Sequence, residues 1–253
     1  LADFTRLPFE PETLPIPAGA FFMGSDPGPG IPSDETPRHT ITLPGYRVGK
    51  TPVTNAQYAE FLKRVKHQEE PRRAGWFLRQ PPPDQRDHPV VGICWHDALA
   101  YCRWLSAETG RTYRLPTEAE WEKASRGIDG RFYPWGEEWI EGRCNAGRDG
   151  ATHVDAFPDG ASPFGCLDML GNVEEWTLTV WGDDPNGSKF GYPYRLDDGR
   201  DDPDADSYIP GLSRVVRGGS FREDPANLRC ARRAASAPDS KLRWRGFRVA
   251  LVP

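Results

Sequence analysis

The residues best equipped for chemistry crowd the last 37 positions of the chain. Arg217-Gly-Gly-Ser220, Arg229-Cys-Ala-Arg-Arg233, Ala237-Pro-Asp239 and Gly246-Phe-Arg-Val-Ala250 are interspersed there with Arg222, Arg243 and Trp244. Arg and Trp are the side chains most enriched where binding energy concentrates, so they suit a recognition surface, while ordinary packing of Trp244 and solvent exposure of the arginines account for them equally. Nucleophilic chemistry has weaker signals. Ser220 lies in Gly-Gly-Ser-Phe rather than Gly-x-Ser-x-Gly and has no motif-assigned histidine, which makes it a turn residue. His39, His67, His88, His96 and His153 stand singly, as surface or hydrogen-bonded histidines do. The five cysteines, Cys94, Cys102, Cys144, Cys166 and Cys230, are odd in number and share no spacing. They read as separate reduced thiols in a reducing compartment.

The elements that must hold this tail are legible in part. Residues from Leu14 to Val53 read as strands and turns, with alternation in His39-Thr-Ile-Thr-Leu43. Thr54-Asn-Ala-Gln57 has capping-box spacing and opens a helix whose apolar face is Tyr58, Phe61, Leu62 and Val65. Lys66 to His88, rich in Pro, Arg and Gln, is a surface loop. A second helix runs from about Trp95 to Glu108, with Ala98, Tyr101, Cys102 and Leu105 on one stripe and Gly110 beyond its end, so Cys102 belongs to the core. A short third helix starts at the capping box Thr117-Glu-Ala-Glu120. Two capped helices beside many short strands indicate an α+β domain.

Between Gly182 and Ser213 lies an acidic insertion with aspartates at 183, 184, 197, 198, 201, 202, 204 and 206. Having few apolar residues, it reads as a solvated loop, with a metal site or docking surface as the sharper alternatives.

Composition sets the outer limits. A chain of 253 residues suits one large domain, 1–253, and 26 Gly with 26 Pro against 37% hydrophobic residues favours turns over long helices. Nine tryptophans argue against disorder. The net charge of -5 leaves no basic footprint for nucleic acid, and no apolar run approaches the roughly 18 residues of a membrane span. The chain opens on Leu1 rather than Met, which leaves room for an upstream segment or a removed signal peptide.

With Leu115-Pro-Thr-Glu-Ala-Glu-Trp-Glu122 and Gly171-Asn-Val-Glu-Glu-Trp-Thr177 upstream, the order of the tail motifs resembles the formylglycine-generating enzyme, or sulfatase-modifying factor, family from about Pro17 to Ala250. The resemblance implies a C-type-lectin-like fold of the sulfatase-modifying-factor type, loop-rich, with two or three helices and short antiparallel strands. It also implies structural calcium. The stretch Asp168-Met-Leu-Gly-Asn-Val-Glu-Glu175 is similar to the family's calcium motif, which carries over as Asp168, the carbonyls of Gly171 and Val173, and Glu175. Hard cations take such oxygens, and Gly171 lets the backbone turn them inward. A second family site would use Asn145 and the carbonyl of Ala146, with Asp149 as a further candidate.

The catalytic part of the resemblance is incomplete. Catalytic members oxidise a substrate cysteine with oxygen at a copper ion held by two thiolates, soft ligands suited to Cu(I). Here Glu223 falls at the first position and Phe221 to Leu228 contains no cysteine, so no copper is expected and no residue is assigned a catalytic role. The histidines lack the close spacing of the family's iron-dependent relatives. The family's disulfide partners for Cys102 and Cys230 correspond to Val249 and Ala124, which points to a cytoplasmic setting. The tail is also similar to the variable proteins of diversity-generating retroelements. In that likeness Arg229, Ala231, Arg233, Pro238, Gly246 and Phe247 form a frame. Phe221, Arg222, Glu223, Arg232, Ser236, Lys241, Arg243 and Trp244 form a ligand-binding face. The reading is a non-catalytic, calcium-stabilised domain that binds a protein or small ligand. Its rivals are a cysteine-modifying enzyme with an unrecognised site and a structural subunit using the acidic insertion.

Overall fold

The computed structural model describes residues 4–184, 188–205 and 211–253. Four strands open it: β1 (Thr13–Ile16), β2 (Gly19–Met23), β3 (His39–Leu43) and β4 (Tyr46–Gly49). Helices α1 (Asn55–Arg64), α2 (Trp95–Thr109) and α3 (Glu118–Arg126) follow, with β5 (Thr112–Arg114) between the last two. The remainder supplies β6 (Glu174–Gly182), β7 (Ser213–Arg217), β8 (Arg233–Ser236), β9 (Arg245–Gly246) and β10 (Ala250–Val252).

Both predicted capping boxes form. Gln57 N–H donates to Thr54 Oγ1 while Thr54 N–H donates to the Gln57 side chain, and Thr117 and Glu120 make the same exchange at α3. Satisfying these donors is what starts each helix at its threonine. At α2 the N–H of Cys94 donates to Asp97, and Gly110 ends the helix in the left-handed conformation that its missing Cβ allows.

The sheets bring the chain ends together. One has the order β1-β4-β10-β5, so the last strand lies antiparallel between β4 and β5. Another runs β8-β7-β6-β9, antiparallel except for the β6–β9 pair, and β2 and β3 form a ribbon. The tail is thereby fixed against both the N-terminal strands and β6. One core packs Tyr58, Phe61, Tyr101 and Trp104 of α1 and α2 with Trp176 and Phe247. A second gathers Trp121 of α3 with Phe21, Met23 and Tyr46. Each such aromatic contributes roughly 1.5–3 kcal/mol by burial. Cys102 is in the first core, as its stripe position predicts. No helix among the described residues is long and apolar enough to cross a membrane.

The acidic insertion departs from a solvated loop. Arg200 is buried, pairs with Asp198, donates to the carbonyls of Phe190 and Gly191, and lies 4.3 Å from the Tyr194 ring centre. Asp201 accepts from the Tyr194 hydroxyl at 2.7 Å and from Thr179, while Ala205 and Leu212 pack on Val180. One arginine and one tyrosine thus supply the anchorage that a count of aliphatic residues overlooks. Asp206 lies outside the described residues.

Burial pushes the Asp201 carboxyl up to about 6. The folded state therefore holds a proton that the unfolded chain has released between about pH 4 and 6, and stability contributed here falls as pH rises through that window. Asp201→Asn should remove the penalty, gaining about 2–3 kcal/mol over wild type at pH 7 relative to pH 4. Urea unfolding at both pH values checks this; an equal difference at the two would contradict it.

Candidate functional site

Helix α3 and the tail meet in a buried lattice of ion pairs. Its Glu118, Glu122 and Arg126 are buried together with Arg217 at the end of β7 and Arg233 at the start of β8. Arg217 donates to Glu118 at 3.0 Å, to Glu122, and to the carbonyls of Ala231 and Cys230. Arg233 grips Glu118 with two nitrogens at 2.7 and 2.8 Å. Elsewhere in the tail Arg229 pairs with Glu35, Arg245 with Glu174 and Arg248 with Glu175. Nearby guanidinium groups hold the Glu122 carboxyl below its ordinary range despite the opposing effect of burial. Arg229 and Arg233 of the expected frame are thus held by carboxylates from distant segments, as are Arg217, Arg245 and Arg248.

Two glycines make the frame possible. Gly219 has φ +65°, and a Cβ there would sit 2.5 Å from Leu228. At Gly246 a Cβ would lie 2.5 Å from the carbonyl oxygen of Val90, a close approach that only glycine permits.

The eight residues proposed from sequence as one face occupy different places. Phe221, Arg222, Arg243 and Trp244 line a common cleft of about 440 Å³, with the Arg222 guanidinium 4.0 Å from the Trp244 ring centre. Phe221 is buried at its floor, Trp244 is half-buried and both arginines are exposed. Lys241 instead pairs with Asp97 at 3.1 Å in a separate groove beside α2. Ser236 accepts a hydrogen bond from Arg245. Glu223 and Arg232 pair with each other at 2.9 Å beside Gly219. Strand β8 and the turn after it carry Ser236 and Lys241 away from the cleft, although both lie between cleft residues in sequence.

Sequence reading missed the opposite wall. Asn55 of α1, Gln85 and His88 come from the first half of the chain, and Arg148 from the loop after Asn145. Asn55 is buried, donates to the Gln85 carbonyl and keeps Oδ1 without a partner; His88 likewise keeps Nδ1 unpartnered. The Arg148 N–H donates to the Phe221 carbonyl at 2.7 Å, which ties the two walls together. Only the Gly-Arg-Asp-Gly turn signal around Arg148 hinted at this loop, and nothing local linked it to the tail.

No cysteine is among the cleft's described lining residues. Cys230 faces inward, receives a hydrogen bond from Ser125 at 3.1 Å, and burial pushes its thiol up to about 12. Cys94 is pushed up to about 11 and Cys144 to about 12 by the same cause, and all five cysteines are buried and free. Burial thus disfavours, at these three cysteines, the thiolate form in which sulfur ligates Cu(I).

The oxygen-rich turn Asp168 to Glu175 is also built. Asp168 has φ +55° and Gly171 φ +71°, and a Cβ on Gly171 would come within 2.3 Å of the Asn145 carbonyl oxygen. Glu175 accepts from Arg248 on both oxygens, at 2.7 and 2.6 Å, and from Trp121 at 2.9 Å. Asp168 receives one bond from the Asn172 amide, and burial raises its carboxyl to about 7. Arg248 thus pairs with the Glu175 carboxylate and reaches only the main-chain carbonyl of Asp168, so a charged Asp168 carboxylate would need a cation or a proton to offset it. Glu175 is largely committed to Arg248, so Asp168 is the freer of the two carboxylates. Among the described residues no three His, Cys, Asp or Glu side chains are grouped to hold a metal, so carbonyl oxygens would have to complete a calcium shell. At the second candidate, Asn145 is buried with Oδ1 unpartnered, Ala146 is half-buried and Asp149 is exposed at the cleft.

The family model for the sulfatase-modifying factor enzyme 1-like domain matches residues 3–252. The chain belongs to this family. The formylglycine-generating enzyme of Streptomyces coelicolor is 33% identical over 293 residues, an alignment covering 93% of this chain and 87% of that enzyme. Among solved structures, PvdO from Pseudomonas aeruginosa superposes with a TM-score of 0.74 at 28% identity, covering 98% of this chain and 97% of PvdO. Treponema denticola variable protein 1 gives 0.71 at 22% identity over 95% of each chain, a likeness of fold. The domain has the C-type-lectin-like architecture of these sulfatase-modifying-factor relatives, with three α-helices and short, mainly antiparallel strands among the described residues.

Proposed function

We propose that this member of the family is a non-catalytic binding domain, with calcium stabilising the Asp168–Glu175 turn, that receives a ligand or partner protein in the cleft of Phe221, Arg222, Arg243 and Trp244. The observation that carries this reading is the separation of thiol from cleft: Cys230 is sealed beneath α3 while no thiol lines the cavity among its described residues. The cleft lies within the 300–1,000 Å³ range of small-ligand pockets, and its mixture of aromatic, guanidinium and amide groups suits recognition. If the chain is a retroelement-diversified variable protein, diversity would fall on Phe221, Arg222, Arg243 and Trp244 rather than on Ser236 or Lys241.

A peptide carrying a sulfatase-type cysteine, incubated with the protein, Cu(I) and oxygen, should keep its mass. An aldehyde mass shift that disappears in Cys230→Ser would overturn the reading in favour of an oxidase.

A further inference from the structure

The arginines around the cleft differ from those of the frame in one respect. Arg217, Arg229, Arg233, Arg245 and Arg248 each have a carboxylate partner. Arg148, Arg222 and Arg243 have none among the described residues, yet all three line the same cavity. The carboxylate there, Asp149, is exposed and pairs with none of them. Three like charges around a cavity repel one another, whereas an oxyanion brought between them is attracted by all three.

We infer that the cleft binds a peptide segment bearing acidic side chains, an inference that rests on the cleft being a binding site and specifies what enters it. The guanidinium groups come from three separate segments, the loop at Arg148, the turn at Arg222 and the approach to β9 at Arg243, which suits carboxylates spaced along a chain. Arg222 lies against Trp244, an arrangement that limits the guanidinium's freedom and leaves its edge able to meet a carboxylate with two parallel hydrogen bonds. On the other wall Gln85 adds a side-chain amide, a group that can pair with a peptide main chain. Phe221 and Trp244 add apolar surface between the charges.

Electrostatic selectivity makes the test sharp, because the whole chain carries a net charge of -5 and should repel a polyanion that has no specific site. Fluorescence anisotropy would follow fluorescein-labelled hexaglutamate at low ionic strength, with labelled hexalysine and unlabelled tripolyphosphate as parallel arms. Hexaglutamate should bind, weaken as salt is raised and lose at least tenfold in affinity in the Arg148→Gln/Arg222→Gln/Arg243→Gln variant. Arg195→Gln, which removes one positive charge from a pair with Asp197 outside the cleft, should bind within about twofold of wild type. Equal binding by wild type and the triple variant would overturn the inference, as would equal binding of hexalysine. Capture of tripolyphosphate, read by isothermal titration calorimetry, without binding of hexaglutamate would overturn it in favour of a phosphate site. Thermal melting confirms that the triple variant is folded. Loss of this inference would leave the non-catalytic reading intact, since that reading falls on aldehyde formation alone.

Discussion

Arg217→Met should lower stability by about 3–5 kcal/mol, the usual consequence of removing one member of a buried ion-pair network. Arg217 is fully buried and is shared by Glu118 and Glu122, with the carbonyls of Ala231 and Cys230 completing its contacts. Methionine fills much of the volume but leaves Glu122 with Arg126 and Glu118 with Arg233 in a dry interior that still holds both carboxylates. For a domain of this size the loss corresponds to a thermal midpoint lower by about 10 °C. Arg217→Lys should fall between wild type and the methionine variant, because a point charge keeps the attraction without the fork. A loss below about 1 kcal/mol in urea unfolding would mean that the lattice is peripheral to the fold.

Calcium removal should have the next largest effect. If calcium binds at Asp168, saturating the site at 100 to 1,000 times its dissociation constant adds about 3–4 kcal/mol, which excess chelator would take away. The charge balance sharpens this expectation. Without a cation, the buried Asp168 carboxyl holds its proton up to about pH 7, so Asp168→Asn should be at least as stable as wild type in chelator. With calcium present, wild type should overtake it. Unchanged midpoints in calcium and in chelator would show that the turn is held by Arg248 and hydrogen bonds alone.

Local signals made the helices legible, since a capping threonine and its partner lie three residues apart, as at Thr54 with Gln57 and Thr117 with Glu120. The motif Leu115-Pro-Thr-Glu-Ala-Glu-Trp-Glu122 was legible as a helix start, but not as the source of carboxylates for Arg217 and Arg233. Those pairs close over separations of 95 to 115 residues and depend on burial, which no local period encodes. The candidate binding site was legible by half for the same reason. Phe221, Arg222, Arg243 and Trp244 belong to the recognisable tail, whereas Asn55, His88 and Arg148 arrive through the packing of α1 and two loops. Ser236 and Lys241 lie between cleft residues in sequence, yet Arg245 and Asp97 claim them elsewhere.

The arginines divide into those that hold the fold and those kept for a ligand, and thermal unfolding of the Arg148→Gln/Arg222→Gln/Arg243→Gln variant tests that division most directly. Removing three mutually repelling charges offsets the loss of about 0.5–1 kcal/mol from the Arg222–Trp244 contact. The midpoint should therefore remain within about 3 °C of wild type or rise, as expected where residues serve binding at some expense of stability. A fall of the size expected for Arg217→Met would contradict the account, because it would make the cleft arginines part of the frame.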